Sequence, residues 1–251
     1  VANSIVGLSQ LGNDVGFIGK INDDDLGQKY ADGLQKEKVN FLYSKKKEAI
    51  PTGTCLILIT PDSERTMCTF LGTAGKVSDE DVDSDLIKKA EITFLEGYLW
   101  DEGEPKKAFA KAILNSNKVA MSLSDLFCVE RHKAQFLELV KNKLDIIFAN
   151  EQEILSLLEA KSFDEAKTFL KDLNKNFVIT RGEKGAIAFD KGEVIECHAE
   201  KSLNIIDLTG AGDLFAAGYL HGVVNKLSTK ESLLKGTELS SKIIQKIGAR
   251  I

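Results

Sequence analysis

Residues 207–213 have the sequence Asp-Leu-Thr-Gly-Ala-Gly-Asp and lie between an extended apolar run at 203–206 and a helical apolar pattern that begins at Leu214. The two glycines therefore lie where a strand is expected to become a helix. The first N–H groups of a helix lack intrahelical partners and carry the positive end of its dipole, and glycine lets a phosphate approach the backbone closely. The stretch predicts an anion site. Asp213 would stand beside it, where a carboxylate can take a proton from an alcohol that attacks the phosphate.

The alternative is a glycine turn with an acidic residue that only favours the helix dipole, because short glycine motifs also arise by chance. The rest of the sequence is needed to distinguish the two interpretations.

Length and composition favour one large α/β domain over 1–251, since 251 residues with 43% hydrophobic content can bury a sizeable core and no Pro/Ser/Gly-rich linker divides them. The net charge of -5 is spread along the chain, and the short basic run at 45–47 is typical of a solvated loop, so nucleic acid is not an expected partner. No apolar run reaches the ~18 residues of a membrane span. We expect a cytoplasmic protein that does not bind a membrane.

The four cysteines are far apart and show no C-x-x-C spacing: Cys55, Cys68, Cys128 and Cys197. Their apolar neighbours predict reduced thiols in the core, without a metal or disulfide role.

Strand-like and helical patterns alternate from residue 91 onward. The expected strands are 92–98, 119–124, 146–150, 177–180 and 203–206, and the expected helices are 105–115, 130–141, 151–158 and 163–173. A hairpin at 186–197 interrupts them. This order predicts a three-layer αβα sandwich around a mostly parallel sheet.

The N-terminal part contains three further patterns. Residues 1–12 have helical spacing with Gly12 as a stop, and because no strand pattern comes before them we expect that a strand is missing ahead of this helix. A short buried strand is expected at 15–20, and residues 22–27 predict a loop that opens a helix reaching about Lys36. Two β-rich runs around a Pro-Asp turn predict a hairpin at 51–72, called the lid ribbon below, which is either a projecting lid or an ordinary edge hairpin.

Polar or glycine-rich residues follow three of the expected strands, and ligands of open parallel sheets bind outside the carboxyl ends of strands. Asn150 ends one strand and Glu153 lies one turn further on, where it could hold a hydrated Mg²⁺ through water or simply cap the helix. Residues 180–185 end another strand with a hydroxyl and two glycines, which could contact nucleotide phosphates. The third strand end is 207–213.

These motifs, in this order, resemble the PfkB (ribokinase-like) carbohydrate and nucleoside kinases. The resemblance rests on N-x-x-E at 150–153, T-x-G-x-x-G at 180–185 and D-x-T-G-A-G-D at 207–213, and it includes Asp24, Gly27 and a β-lid at the lid ribbon. The stretches 51–55, 123–127 and 145–151 look most like the adenosine kinase branch.

The resemblance implies a role for each matching residue. Asp213 would be the catalytic base, and the amides of Gly210, Ala211 and Gly212 would form the anion hole for the γ-phosphate. Nucleotide contacts would come from Asn150, Thr180, Arg181, Gly182 and Gly185. Asn3 would bind acceptor hydroxyls together with Asp213, and Glu96 is a weaker acceptor candidate. The metal-linked residues would be Glu153 for Mg²⁺ through water and Asp207 and Thr209 for a monovalent cation, with K⁺ as the candidate.

The activity implied is ATP- and Mg²⁺-dependent transfer of phosphate to a primary hydroxyl, with adenosine, converted to AMP, as the expected acceptor. A free sugar such as ribose or fructose is the alternative, and a nucleotide-binding module without turnover is the second. A homodimer through the lid ribbon is also expected by resemblance. Leu208 stands where the family has Thr and Asn22 where it has Gly. The Leu208 change should leave the anion hole intact, because backbone amides form that hole.

Overall fold

The computed structural model describes residues 1–43, 46–100 and 103–251, so Lys45 of the basic run lies outside the described residues. Its strands are β1 (Gly16–Phe17), β2 (Asn40–Phe41), β3 (Thr54–Ile59), β4 (Arg65–Phe70), β5 (Thr93–Glu96), β6 (Val119–Ser122), β7 (Ile146–Asn150), β8 (Asn176–Thr180), β9 (Ala186–Asp190) and β10 (Glu193–Cys197). Its α-helices are α1 (Ala2–Gln10), α2 (Asp25–Lys36), α3 (Ser84–Lys89), α4 (Glu104–Asn115), α5 (Leu126–Asn142), α6 (Glu151–Leu158), α7 (Phe163–Leu173), α8 (Ala211–Val224) and α9 (Thr229–Ile243).

The central sheet has the strand order β10-β9-β8-β7-β6-β5. Strands β5 to β8 run parallel, and the hairpin β9–β10 adds two antiparallel strands at one side. The sheet is therefore mostly parallel, as predicted.

Alternate residues of each central strand enter two separate cores. Ile147 and Ile179 belong to a core that includes side chains of α4 to α7, whereas Phe148 and Val178 belong to a core with side chains of α1, α8 and α9. Strands buried on both faces need continuous apolar sequence, which explains why the runs at β7 and β8 are almost free of polar residues. The expected three-layer sandwich is confirmed.

Helix α8 is buried along most of its length, because every residue from Leu214 to Leu220 is buried. It packs closely on α9: a Cβ on Gly218 would lie 2.5 Å from the Lys235 carbonyl oxygen. This close helix contact fixes the position of the first turn of α8, which carries Asp213. Among the described residues, no helix is both long enough and apolar enough to cross a membrane.

The lid ribbon contains β3 and β4, which pair with each other in a separate two-stranded antiparallel sheet. All residues of both strands are exposed, so the ribbon projects from the domain and is not an edge hairpin of the central sheet. Cys55 and Cys68 lie on it and are exposed, whereas Cys128 and Cys197 are buried. The prediction of core thiols is wrong for the first two, because a two-stranded ribbon has no layer to cover them.

Two expected strands differ from the structure. Residues 203–206 form no strand, because the Ile206 N–H donates to the Ile244 carbonyl at the end of α9, at 2.8 Å. The buried strand expected at 15–20 is reduced to β1, which pairs with β2 outside the central sheet and is only partly buried.

Candidate active site

Gly210 is the residue at which the chain turns into α8. It is the N-cap, with φ +83° and ψ 0°, and a Cβ here would lie 2.9 Å from the Cα of Ala249. Both the left-handed backbone and the close neighbour require glycine. Gly212, in the first turn, has open space around its Cα, with nothing within 4 Å of a Cβ placed there.

The backbone N–H groups around this turn are largely free. Among the described residues, none accepts a hydrogen bond from the N–H of Gly210, Gly212 or Asp213, whereas Ala211 donates to the Leu208 carbonyl at 3.3 Å. Unpaired donors at a helix N-terminus bind anions. The geometry agrees with the predicted anion site for Gly210 and Gly212, while the Ala211 amide is engaged within the chain.

Asp213 meets two residues that are far away in sequence. The Asn3 side chain, in the first turn of α1, donates from Nδ2 to Asp213 Oδ2 at 2.8 Å. Glu96, at the end of β5, lies near enough to Asp213 for the two carboxyl groups to interact. Burial raises the pKa of Glu96, and the charge of Asp213 acts in the same direction. The three residues predicted to bind the acceptor therefore converge.

Asp207 and Thr209 lie immediately before this turn and are buried. Asp207 Oδ1 accepts from the Thr209 N–H at 2.8 Å and Oδ2 from the Gly248 N–H at 2.9 Å. Burial alone would raise the pKa of Asp207, but these hydrogen bonds and the charge of Arg65 outweigh it and hold that pKa below its usual value. By distance and angle the buried Thr209 hydroxyl makes no hydrogen bond with a described residue, but it lies close enough to the Asp207 carboxylate to help lower the pKa of Asp207. A buried, ionised carboxylate beside a hydroxyl without a well-formed hydrogen bond fits a cation that prefers oxygen ligands.

Asn150 and Glu153 form a reciprocal cap at the start of α6. Glu153 accepts from the Asn150 N–H at 3.0 Å and from its Nδ2 at 2.6 Å, while the Glu153 N–H donates to Asn150 Oδ1 at 2.8 Å. Burial, followed by the charge of Asp125, raises the pKa of Glu153 to about 7, against the lowering effect of the Asn150 N–H. The capping interpretation is thus realised in the structure, and the role in water-mediated Mg²⁺ binding stays a prediction. Each oxygen of an ionised carboxylate can accept more than one hydrogen bond, so both Glu153 oxygens, which accept from Asn150, could also accept from metal-bound water.

Thr180 lies beside Asn150, because the two residues are register partners on the parallel strands β8 and β7. Both strand ends therefore open at the same edge of the sheet. In the loop that follows, Gly182 and Gly185 have φ +56° and +91°, and a Cβ on Gly185 would lie 2.1 Å from the Cys197 carbonyl oxygen.

Arg181 is already occupied by contacts within the chain. Its Nε donates to Glu151 at 2.7 Å, and its guanidinium lies 3.9 Å from the Phe163 ring centroid. These contacts hold the loop in place, and a nucleotide contact from Arg181 stays a prediction.

An open groove of about 1460 Å³ runs along β5 and includes Glu96, Tyr98 and Phe70 in its lining. Three exposed aromatic residues lie outside the core: Phe70 is 51%, Tyr98 49% and Phe127 73% exposed. The Tyr98 hydroxyl donates to the Ser124 carbonyl at 3.0 Å, which fixes the ring beside Glu96.

The turn of the lid ribbon touches the segment that leads into the anion site. The Leu208 N–H donates to the Ser63 carbonyl at 3.4 Å, and the Ser63 hydroxyl to the Ile205 carbonyl at 3.1 Å. The turn of the ribbon therefore lies next to the segment that leads into the predicted anion site, and its role as a lid stays a prediction.

Two cationic residues near the site could not be predicted from the sequence. Arg250 donates from Nε to Asn3 Oδ1 at 3.3 Å, and this bond orients the Asn3 amide so that its NH₂ faces Asp213. Arg65, on the lid ribbon, acts on Asp207 through its charge. No motif or spacing marks either residue, because both contacts depend on distant segments that meet only in the fold.

A carboxylate beside free helix N-terminal amides, at the carboxyl edge of a parallel sheet and under a β-ribbon, defines a phosphotransferase that uses an alcohol as acceptor. The profile of the pfkB family carbohydrate kinases matches residues 1–251, and the chain belongs to this family.

Three relatives illustrate the range of this similarity. A protein named "uncharacterized sugar kinase" from Archaeoglobus fulgidus is 24% identical over 245 residues, which cover 98% of this chain and 97% of the relative. The crystal structure of adenosine kinase from Sinorhizobium meliloti has 35% identity and a TM-score of 0.95, and the match covers 100% of this chain and 78% of that one. A ribokinase II structure from E. coli with ATP and Mg²⁺ shares the fold, with 18% identity, a TM-score of 0.89 and coverage of 99% and 82%.

Proposed function

We propose that this kinase transfers the γ-phosphate of ATP to the primary hydroxyl of adenosine and releases AMP and ADP. The observation that carries the proposal is the convergence of Asn3 and Glu96 on Asp213, beside the free amides of Gly210 and Gly212. In this proposal, a proton acceptor, acceptor-binding groups and an anion site lie next to one another.

Each part has a role in the reaction. Asp213 takes the proton of the attacking hydroxyl, and Asn3 holds both the Asp213 carboxylate and a neighbouring hydroxyl of the acceptor. The free amides stabilise charge on the migrating phosphoryl group. ATP supplies that group, and Mg²⁺ neutralises the phosphates when bound, with Glu153 as the residue that would hold its water shell. The lid ribbon excludes water, which limits hydrolysis of ATP.

Two observations support adenosine, although the first does not exclude a sugar. The Sinorhizobium meliloti adenosine kinase shares 35% identity over the whole of this chain, and a structure titled probable sugar kinase from Rhizobium etli shares the same 35%. The groove also presents partly exposed aromatic side chains, Phe70 and Tyr98, against which a base can stack. A sugar kinase is the second candidate, supported by the family's description as carbohydrate kinases and by the Archaeoglobus relative.

The test measures ADP formed from Mg-ATP with adenosine, ribose or fructose as acceptor, in wild type and in Asp213→Asn. Asparagine preserves the shape of the side chain and removes its basicity, so kcat should fall by about 10²–10⁴-fold while both KM values stay within about threefold. Turnover with a sugar but not with adenosine would contradict the acceptor. Wild-type kcat in the variant would contradict the base, and nucleotide binding without transfer to any acceptor would indicate a binding module.

We also propose a homodimer through the lid ribbon and a cytoplasmic location. Both faces of the ribbon carry exposed apolar side chains, with Leu56 and Phe70 on one face and Ile57 and Met67 on the other. One face is available to a second copy when the other covers the site. Sedimentation analysis of wild type and of Ile57→Asp tests the dimer, and cell fractionation tests the location, which the use of ATP and reduced thiols supports.

A further inference from the structure

The lid ribbon is attached to the domain by two short legs that touch directly. The entry leg is 51–53 and the exit leg is 71–73, and the Thr73 N–H donates to the Pro51 carbonyl at 3.0 Å. A Cβ on Gly53 would lie 2.4 Å from the Leu71 carbonyl oxygen, and one on Gly72 would lie 2.3 Å from that of Pro51. The legs therefore meet backbone to backbone. This crossing is the point about which the ribbon can tilt, because β3 and β4 pair with no other described strand.

One carboxylate, that of Asp24, holds the entry leg. Asp24 Oδ1 accepts from the Thr52 hydroxyl and from the Gly27 N–H, each at 2.7 Å, and Oδ2 accepts from the Thr52 N–H at 2.9 Å. Thr52 is buried, and its hydroxyl oxygen accepts from the Asn22 N–H at 2.9 Å. The same side chain that caps α2 thus fixes Thr52, two residues before β3 begins. The hydrogen bonds from Thr52 and Gly27 lower the pKa of Asp24, so the ionised form that accepts them persists at neutral pH.

A small tilt where the ribbon is attached to the domain becomes a large displacement at the turn of the ribbon. The six residues of β3 extend about 20 Å, so a tilt of about 10° at Thr52 moves the turn by about 3.5 Å. That displacement exceeds the tolerance of any hydrogen bond, including those between Ser63 and residues 205–208.

We propose that Asp24 is a positioning residue for phosphoryl transfer, and that it sets the angle at which the lid ribbon stands over Asp213 by holding Thr52 through both carboxylate oxygens. It touches neither acceptor nor nucleotide. The inference rests on the kinase activity and is independent of which acceptor is used. It gives a function to the Asn22–Gly27 loop, which the catalytic residues leave unexplained.

The test compares Asp24→Asn, Thr52→Val and the control Asp25→Asn. Asparagine is as good an N-cap as aspartate, so α2 keeps its cap while an NH₂ group replaces the oxygen that faces the Thr52 N–H. Asp25→Asn makes the same charge change one residue away, at a side chain that is exposed in the first turn of α2. Thr52→Val removes the hydroxyl and keeps the shape.

We expect three results for Asp24→Asn: an increase of about tenfold in acceptor KM, an increase in ATP hydrolysis without acceptor relative to transfer, and an unchanged ATP KM. Hydrogen exchange should become faster in 54–70 and 205–208 but not in β7 or β8. Asp25→Asn should match wild type. A purely structural role would lower the melting temperature and the active fraction without changing acceptor KM or the ratio of hydrolysis to transfer.

Wild-type acceptor KM, coupling and exchange in a folded Asp24→Asn protein would overturn the proposal. If Asp24→Asn does not fold, Thr52→Val decides by the same measurements: changed acceptor KM and ribbon exchange support the hinge, and wild-type values overturn it. A wrong acceptor would instead appear as absent turnover in wild type, which distinguishes failure of the proposed function from failure of the hinge.

Discussion

The substitution Gly210→Ala should change the backbone at the predicted anion site without removing any functional side chain. At φ +83°, an alanine would cost about 1–3 kcal/mol of backbone strain. Its Cβ would also lie 2.9 Å from two atoms of Ala249, where ordinary contact begins at 3.4 Å, so the start of α8 or the 249 segment has to move by about 0.5 Å. Because α8 is packed on both sides, that movement falls on the free amides beside Asp213.

The expected result is a loss of about 2 kcal/mol of unfolding free energy, which lowers Tm by roughly 4–8 °C in a chain of this size. The displaced amides should also lower kcat by about 10–10²-fold, because positioning errors below 1 Å already reduce phosphoryl transfer strongly. Scanning calorimetry and steady-state ADP release measure the two effects on the same preparation.

Gly212→Ala is the matched control, two residues further along. Gly212 has no positive φ and nothing within 4 Å of a Cβ, so alanine should leave the fold intact and add about 0.4–1 kcal/mol through its lower unfolded-state entropy. The new methyl group would project into the space that the phosphate is expected to occupy, so ATP KM should rise even as Tm increases. Unchanged Tm in Gly210→Ala, or a lower Tm in Gly212→Ala, would refute the reasoning about backbone conformation, and an unchanged ATP KM in Gly212→Ala would refute the placement of the anion.

Three further predictions test the surroundings of the site. Thr209→Val removes the buried hydroxyl beside the Asp207 carboxylate and keeps the shape of the side chain, so activation of turnover by KCl over choline chloride should disappear. An identical response to K⁺ in wild type and variant would exclude Thr209 as a ligand. Glu153 has a pKa of about 7 in the folded protein against an ordinary 4.5, so between these pH values the folded state holds a proton that the unfolded state has lost. The stability of wild type should therefore fall relative to that of Glu153→Gln as pH rises from 4.5 to 7, by about 3 kcal/mol at most. If the stabilities of the two proteins change in parallel from about pH 5 to 7.5, Glu153 does not titrate in this range. In native protein, a thiol reagent should modify the exposed Cys55 and Cys68 quickly and leave the buried Cys128 and Cys197 intact. Addition of an ATP analogue and acceptor should slow this modification if the lid ribbon closes. Four reactive thiols in the folded protein would contradict the burial of Cys128 and Cys197.

Much of the fold could be predicted because the central strands are buried on both faces. That burial requires uninterrupted apolar runs, and those runs are easy to recognise at β6, β7 and β8. The rule that ligands bind at the carboxyl ends of parallel strands predicted that the strand ends at Asn150 and Thr180 face one crevice, and the pairing of these two residues in the parallel strands β7 and β8 agrees with it.

The absence of a strand at 203–206 could not be predicted in this way. An apolar run of four residues is compatible with a strand, but whether its backbone pairs with a sheet depends on which partners are near. Here the Ile244 carbonyl and the Ser63 side chain take that place, and neither is visible in local sequence. The contacts of Arg250 and Asp24 were missed for the same reason, since each links segments that are remote in sequence.

We infer that the site combines a well-packed part, held by the two cores, with a more movable part, the lid ribbon. Asp213 stands on α8, whose buried face and close contact with α9 hold it in place, as a general base within reach of one hydroxyl requires. The ribbon has exposed faces, and its attachments include the crossing of its two legs, the Asp24 contact and the contact at Ser63. An enzyme that must admit an acceptor and then exclude water needs this contrast, because a rigid lid would block entry and a mobile base would misplace the proton acceptor. The hydrogen bonds of Asp24 and Ser63, which are few and lie at the two ends of the ribbon, are therefore where changes should alter coupling between hydrolysis and transfer without altering the chemistry at Asp213.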